Sequence, residues 1–297
     1  MSTDMSTELT LAQIKSVKGD GFLINRGTRQ FSARVVTGYG RLTAAQLAVL
    51  KDASEKYGNG SILFTVRLTV EVPGIDFDDI HAFKALIATA GLKTGGTGPK
   101  VRPVVACKGT TCTYGLYDTQ KLAEEIHRRF YEGRRDMILP HKFKIAVGGC
   151  PNSCVKPELN DIGIVGQSIP SFDTGSCKSC KNCNVSHACP TGAAAIVDGS
   201  IHFDKDSCIN CGQCAGKCPF DVTDSLVTCY KVYVGGKWGR SVRIGTALDF
   251  LVSAEDIIDL IDRTLQLYKN QGITGERFGD TCDRLGMDAV NKALSAK

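Results

Sequence analysis

Twelve of the fourteen cysteines in this chain fall in short, regular spacings, and such a chain folds to bring sulfurs together. Cys177-x2-Cys180-x2-Cys183-x5-Cys189-Pro190 is followed by Cys208-x2-Cys211-x2-Cys214-x3-Cys218-Pro219. Upstream of both, Cys107-x4-Cys112 precedes Cys150-x3-Cys154. Disulfides would be expected of a secreted chain, but Met1–Thr10 lacks the basic start and apolar run of a signal peptide. The short spacings therefore read as thiolate ligation of metal. Large apolar residues are scarce between Cys177 and Cys218, and Val197-Asp-Gly-Ser-Ile201 divides the stretch with a hairpin signal, so this texture marks a small domain inserted into a larger one.

The remaining composition is that of an ordinary globular protein. With 297 residues, 42% of them hydrophobic, there is enough material for one large or two modest domains. No run of roughly eighteen apolar residues is present for a membrane helix, and the expectation is a soluble cytoplasmic protein without a membrane span. A net charge of +5 is too small to argue for nucleic acid. Basic residues are scattered except near the cysteines, which suits an anionic cofactor or a small oxyanion.

Read in order, residues 1–20 look like a loose arm. Residues 21–94 follow as a strand–helix–strand–helix unit: a strand at Phe31–Val36, a helix capped by Thr43, a long strand over Ile62–Val72 ended by Pro73-Gly74, and a helix over Asp76–Leu92. Gly95-Gly-Thr-Gly-Pro99 is the natural linker; it lacks the residue order of a phosphate loop. A second α/β domain covers 100–167 and 227–297. Its expected strands are Val101–Ala106, Lys142–Val147, Ile162–Val165, Thr228–Val234 and Ser241–Ile244, and its expected helices are Asp118–Tyr131, Ser253–Lys269 and Asp280–Ser295. The insertion occupies 168–226. The fold class is thus α+β.

Two four-cysteine runs ending in Cys-Pro are the signature of a bacterial-type ferredoxin with two [4Fe-4S] clusters, in which the fourth cysteine of each run serves the other cluster. Cys177, Cys180, Cys183 and Cys218 then form one set, and Cys208, Cys211, Cys214 and Cys189 the other. The Cys-Pro endings favour clusters over a pair of zinc ribbons. Cys107, Cys112, Cys150 and Cys154 suit either a structural zinc or a third cluster. Lys100, Arg102, Lys108, Lys142 and Lys144 lie close to them in sequence, as beside a large polyanion. In an extended Lys142–Val147, Lys142 and Lys144 share one face while Phe143 and Ile145 share the other. Gly148 and Gly149 would then let the backbone approach something bulky. On their own, the two lysines would be a solvated strand face and Arg67 a cross-strand partner of Glu71. Cys229 and Cys282 read as small core residues, His127 as solvated and His141 as a pocket residue.

Cys107-x4-Cys112 with Cys150-x3-Cys154, Leu139-Pro-His-Lys-Phe-Lys144, Phe64-Thr-Val-Arg67 and Gly235-Gly-Lys-Trp-Gly-Arg240 together resemble the sirohaem-dependent sulfite and nitrite reductases. The chain is most similar to the short cluster-rich chain of the anaerobic sulfite reductases and to small dissimilatory types. The resemblance implies half of a sulfite/nitrite reductase: a ferredoxin-like substrate domain, a sirohaem-binding domain and the inserted ferredoxin domain. It implies one sirohaem and three [4Fe-4S] clusters, with Cys154 bridging to the haem iron and Cys107, Cys112 and Cys150 completing the coupled cluster. Arg34, Arg67, Lys142 and Lys144 become the substrate cations. Lys100, Arg102, Lys108, Asn152, Lys237, Arg240 and Arg243 become candidates for the carboxylate-rich rim of the macrocycle.

The implied activity is six-electron reduction of sulfite to sulfide, with nitrite reduction or a non-catalytic electron-transfer role in a reductase complex as alternatives. Cations over an open iron position would bind the oxyanion and polarise its bonds. No strand–turn–helix carries a Gly-x-Gly-x2-Gly, so a separate donor is expected, either a flavin/NADH-linked protein or a ferredoxin. A homodimer with composite sites, or a place in a multisubunit reductase, is the expected assembly.

Overall fold

The computed structural model describes residues 9–223 and 226–295, so the first eight residues of the expected arm lie outside the described residues. The chain divides into two compact units. Met1–Val105, Ala123–Ile145 and Gly272–Arg277 make the first, and Ala106–Leu122, Ala146–Gln271 and Phe278–Lys297 the second. Among the described residues no helix is long and apolar enough to cross a membrane.

In the first unit the expected arm contains a helix, α1 (Leu11–Lys18), because Thr10 and Gln13 form a capping box. Ile14 and Val17 then pack on the core. Strands β1 (Phe22–Ile24) and β2 (Phe31–Val36) are followed by α2 (Ala44–Tyr57), where Thr43 caps as expected, its side chain accepting from the Gln46 N–H. A cap of this kind is worth about 1 kcal/mol. Phe31, Ala33 and Val35 alternate inward, as a half-buried strand requires.

The next segment departs from the sequence reading. Ile62–Val72 is not one strand; it folds back as β3 (Leu63–Phe64) against β4 (Val70–Ile75). The turn is closed by Thr65 N–H to Thr69 O at 2.9 Å and Leu68 N–H to Thr65 O at 2.9 Å, with Leu68 at φ +58. Pro73 and Gly74 do not end the strand either. Phe31 pairs with Ile75 and Ala33 with Val72, so Pro73 and Gly74 together oppose Ser32 as a bulge. Helix α3 (Ile80–Ala88) and strand β5 (Lys93–Thr94) complete a sheet ordered β1-β2-β4-β3, with β5 on β2. Phe22 and Phe83 meet edge to face with centroids 6.2 Å apart in its core.

The second sheet is ordered β12-β11-β8-β7-β6. Its first members, β6 (Val105–Ala106) and β7 (Ile145–Gly148), are shorter than expected. Pro103 has no N–H to extend β6, and Val101 makes a single parallel bridge to Phe143. Between β6 and β7, α4 (Thr119–Ile126) passes into a π-helical turn over His127–Glu132 that directs His127, Phe130 and Tyr131 inward. The centre of the sheet is the pairing of β8 (Ile162–Pro170) with the strand that returns at Leu226–Val234.

Residues 171–223 are threaded between these strands. They contain α5 (Asn184–Ala188) and the expected hairpin, β9 (Ala194–Val197) with β10 (Ser200–Phe203). Val185, Ala194, Ile201, Cys214 and Val222 form their own small core. The returning strand is β11 (Leu226–Val234). The strand expected at Ser241–Ile244 is only a bridge between Lys237 and Arg243, and β12 forms at Thr246–Ala247. Helix α6 (Ile257–Gln271) buries Ile257, Leu260, Ile261, Thr264, Leu265 and Tyr268, a helical stripe. The expected last helix is two, α7 (Phe278–Leu285) and α8 (Met287–Ser295), separated by Gly286 at φ +81.

His127 is buried, contrary to the solvated placement expected from its Arg-rich surroundings. It lies between Tyr39 and Tyr131, with ring centroids 5.2 and 4.5 Å away, and its Nδ1 has no hydrogen-bond partner. Burial pulls its pKa down from 6.5 to about 4, against Glu132 and helped by Arg135 and Lys93. The unfolded chain takes up this proton below pH 6.5 and the folded chain does not until about pH 4. The stability it confers is therefore present above 6.5 and drains away as pH falls through that window, by at most on the order of 3 kcal/mol. Urea denaturation across pH 4–7 is expected to show a shallower loss of stability in His127→Phe than in the natural chain. Equal slopes would place His127 in solvent.

Candidate active site

In the first unit the hairpin turn and the segment before β7 bring cations to one place. A cavity of about 340 Å3 is lined by Arg34, Arg67, Arg102, Lys142 and Lys144, with Thr65 and Thr69, and among the described residues no carboxylate forms part of its wall. Phe143 and Ile145 are fully buried while Lys142 and Lys144 are half-exposed, so the alternation expected from sequence holds. Phe143 N–H donates to Lys100 O at 3.0 Å and Arg102 N–H to Phe143 O at 2.8 Å, which fixes this segment against the one bearing Arg102. Arg102, expected at a macrocycle rim, lines the same cavity as the four expected substrate cations.

Glu71 pairs with Arg34 and not with Arg67, the partner that the strand taken on its own would offer. Arg34 reaches Glu71 Oε1 with Nε at 2.9 Å and Nη2 at 2.7 Å, while Arg67 Nη1 donates to Pro103 O at 2.9 Å. The backfolded turn is the reason: Arg67 sits at its tip rather than along a strand from a partner. The Gly96 carbonyl accepts from both Arg34 Nη1, at 3.3 Å, and Arg102 Nη1. His141 accepts from the Lys142 N–H through Nδ1 at 2.7 Å. Burial first, and then Lys142, Arg277 and Arg102, depress its pKa.

The second unit holds the cysteines. Cys107 follows β6, Cys112 follows a short 3-10 turn (Gly109–Thr111), and Cys150 and Cys154 follow β7. Cys107 N–H donates to Val147 O at 3.0 Å, and its carbonyl accepts from Thr119 Oγ1 at 2.8 Å. Gly149 N–H donates to Cys107 Sγ at 3.2 Å. Burial raises the Cys150 pKa and the neighbouring Cys107, Cys154 and Cys112 raise it further, which places all four sulfurs within electrostatic reach. The close approach that the glycines permit is between parts of this chain. A Cβ on Gly149 would lie 3.1 Å from Gly109 Cα, and one on Gly148 would lie 2.9 Å from Pro157 Cγ.

In the insertion, Cys177, Cys180, Cys183 and Cys218 line one cavity of about 90 Å3. The Cys214 pKa is pushed up to about 11, by burial first and then by Cys211, Cys208 and Cys189. The structure thus groups Cys218 with the first run and Cys189 with the second, the crossed arrangement expected from sequence. Backbone N–H groups point at these sulfurs: Ile201 to Cys177 at 3.5 Å, Ala194 to Cys189 at 3.4 Å and Asn210 to Cys208 at 3.4 Å. Among the described residues no three Cys, His, Asp or Glu side chains close on a single metal ion. A cubane takes one thiolate at each of four irons, and four grouped sulfurs receiving N–H donors fit that requirement.

Other expected cofactor residues are engaged elsewhere. Lys237 is ion-paired with Asp280, and Arg243 holds Asp283 at 2.7 Å while its Nη1 donates to the Val234 and Gly235 carbonyls. Both tie the glycine-rich loop to α7. Lys108, Arg240, Asn152 and Cys154 are exposed, and Lys100 is half-buried. Cys229 and Cys282 are buried, as expected of core residues, with the Cys282 thiol pushed up to about 12 by burial. Tyr117 was not singled out from sequence. It donates to Gly148 O at 3.0 Å and packs on Tyr230, with centroids 4.9 Å apart.

Residues 97–297 match the family model described as the nitrite and sulphite reductase 4Fe-4S domain, and residues 24–90 match the nitrite/sulfite reductase ferredoxin-like half domain. The coenzyme F420-dependent sulfite reductase of Methanocaldococcus jannaschii is 36% identical over 75% of this chain, which spans 35% of that protein. An uncharacterised protein of the same organism is 30% identical over 89% of this chain and 90% of its own length. One of the subunits of the anaerobic sulfite reductase of Salmonella typhimurium is 30% identical over 53% of this chain and 49% of its own length. Among solved structures, dissimilatory sulfite reductase I superposes with a TM-score of 0.71 at 20% identity, covering 90% of this chain and 69% of that one. The Mycobacterium tuberculosis NirA protein superposes at 0.68 with 16% identity, over 96% of this chain and 46% of that one. At these identities the structures speak for the fold. The two family matches, over a half domain and a 4Fe-4S domain in chain order, establish that this chain belongs to the nitrite and sulphite reductase family.

Proposed function

We propose that this chain is a sirohaem-[4Fe-4S] sulfite reductase that reduces sulfite to sulfide with six electrons, supplied through its own two-cluster ferredoxin domain. The observation that carries the reading is the cavity walled by Arg34, Arg67, Arg102, Lys142 and Lys144 without a carboxylate. Such a wall attracts a small dianion and holds its oxygens. The lysines add something the arginines do not. An ammonium can give up a proton from Nζ to a leaving sulfite oxygen, while a guanidinium stays protonated throughout. Arg34, fixed on Glu71, would set the position of the oxyanion more than donate to it.

Cys107, Cys112, Cys150 and Cys154, the last of them exposed, would hold the cluster coupled to sirohaem. Sirohaem would supply an open iron position for reduction of the sulfite sulfur. The two sets in the insertion would hold the other clusters. A separate one-electron donor would reduce them, and the assembly would be a homodimer or part of a larger complex.

Freshly purified anaerobic protein made with sirohaem available is expected to contain about thirteen irons per chain, four in each of three clusters and one in the haem. Isobacteriochlorin absorption in the red should accompany them. About eight irons without red bands would make the chain an electron carrier. With the loaded enzyme and a reduced viologen, Lys142→Ala and Arg67→Ala are each expected to lower kcat for sulfite by roughly 100-fold or more. Unchanged turnover in both would remove the cavity from the reaction.

A further inference from the structure

A further cavity of the first unit, of about 440 Å3, lies between α3 and the turn that follows α4. It shares only Gly96 with the cavity walled by Arg34, Arg67, Arg102, Lys142 and Lys144. Gly96 donates its N–H to Tyr131 Oη at 3.1 Å in the one, and its carbonyl accepts from Arg34 and Arg102 in the other. A Cβ on Gly95 would stand 2.6 Å from Tyr131 Oη, so the linker seats on that ring only because it is bare there.

The wall of this cavity has two halves. Ile87, Leu92, Val101, Phe130 and Tyr131 are buried, whereas Lys84, Lys93, Lys100, Arg134 and Arg135 bring charge. The π-helical turn makes the halves meet. It directs Phe130 and Tyr131 inward, and Arg134 and Arg135 then lie over those rings, with Cζ 5.1 Å from the Phe130 centroid and 5.6 Å from the Tyr131 centroid. Laying a guanidinium on a ring orients it and leaves its charge in place. Asp20 and Asp136 are the carboxylates among the described residues of the wall, and Asp20 is paired with Lys84 at 2.7 Å. Lys93 meets Glu132 at 3.4 Å.

A solvated basic face would hold its cations over water, but here they stand around buried hydrocarbon. One class of ligand uses both halves. Phosphate oxygens take charge-assisted hydrogen bonds from guanidinium and ammonium groups, and a flat ring joined to them covers the apolar surface. Asp136 offers an acceptor of the kind a sugar hydroxyl needs.

We infer that this cavity binds a nucleotide, with its phosphates on Arg134, Arg135 and Lys100 and its base against Ile87, Leu92, Val101 and Phe130. The site is separate from the oxyanion cavity and stands independently of the function proposed for it.

Isothermal titration calorimetry of the full-length chain with ADP, inorganic pyrophosphate and adenosine tests the assignment, on protein prepared with and without sirohaem. ADP is expected to bind saturably at a single site, more tightly than pyrophosphate or adenosine. Arg135 and Ala88 are exposed, so both can be changed without opening the core. Arg135→Gln, which removes charge, and Ala88→Trp, which fills the cavity from its rim, are each expected to weaken ADP by roughly tenfold or more. Lys142→Ala, in the other cavity, is expected to leave ADP binding as it was. No saturable ADP binding would overturn the inference, as would full affinity in both Arg135→Gln and Ala88→Trp. Loss of binding in Lys142→Ala alone would move the nucleotide to the oxyanion cavity, and loss on loading sirohaem would make this wall part of the macrocycle's own site. Pyrophosphate bound as tightly as ADP would overturn the assignment of a base.

Discussion

Four sulfurs carried by two loops can serve one centre only if the loops touch, and in this chain that contact is made by backbone alone. Gly109 and Gly149 meet beside Cys107, with Thr119 against both, leaving no space for a side chain at either position. The turn after β6 and the turn after β7 are thereby locked together, and Gly149 donates to the very sulfur it packs against. The cysteines are held by the sheet that ends at them.

A comparable economy governs the cations. Five basic side chains stand around one cavity, and neighbouring groups hold them there. Glu71 is engaged by Arg34, while the carbonyls of Gly96 and Pro103 absorb part of the charge of Arg34, Arg102 and Arg67. Carbonyl oxygens hold guanidinium groups in place without neutralising them. Beyond burial, the lowered pKa of His141 comes from neighbouring cations, since a further proton there would have to sit among Lys142, Arg277 and Arg102.

Much of this was legible in the sequence, and the lapses share a cause. The crossed cysteine grouping, the lysine face and the Thr43 cap follow from spacing, which is a local property. What spacing does not encode is where a chain reverses without glycine or proline. Leu68 at φ +58 turns Ile62–Val72 into a hairpin, and Arg67 changes from a strand residue into a turn residue. Pro73-Gly74, a strong stop signal, is absorbed as a bulge because Phe31 and Ile75 still pair beyond it. Charge was similarly ambiguous: Lys237 and Arg243 look like anion ligands in sequence, but Asp280 and Asp283 reach them from a helix, 43 and 40 positions further along the chain. His127 was misplaced because a π turn directs it inward while Arg128 and Arg129, which follow it, stay exposed.

The cysteine-rich segment departs from the sheet after Pro170 and rejoins it at Leu226, and these two residues are paired partners on neighbouring strands. Its two ends therefore stand one strand spacing apart, so the host sheet is closed whether a long segment or a tight turn joins them. Beyond its two ends the segment touches β8 again, where Ser168 bridges to Cys211 and donates its N–H to Asn210 O. A sheet with such a socket can carry segments of very different length at that point with its strand pairing unchanged.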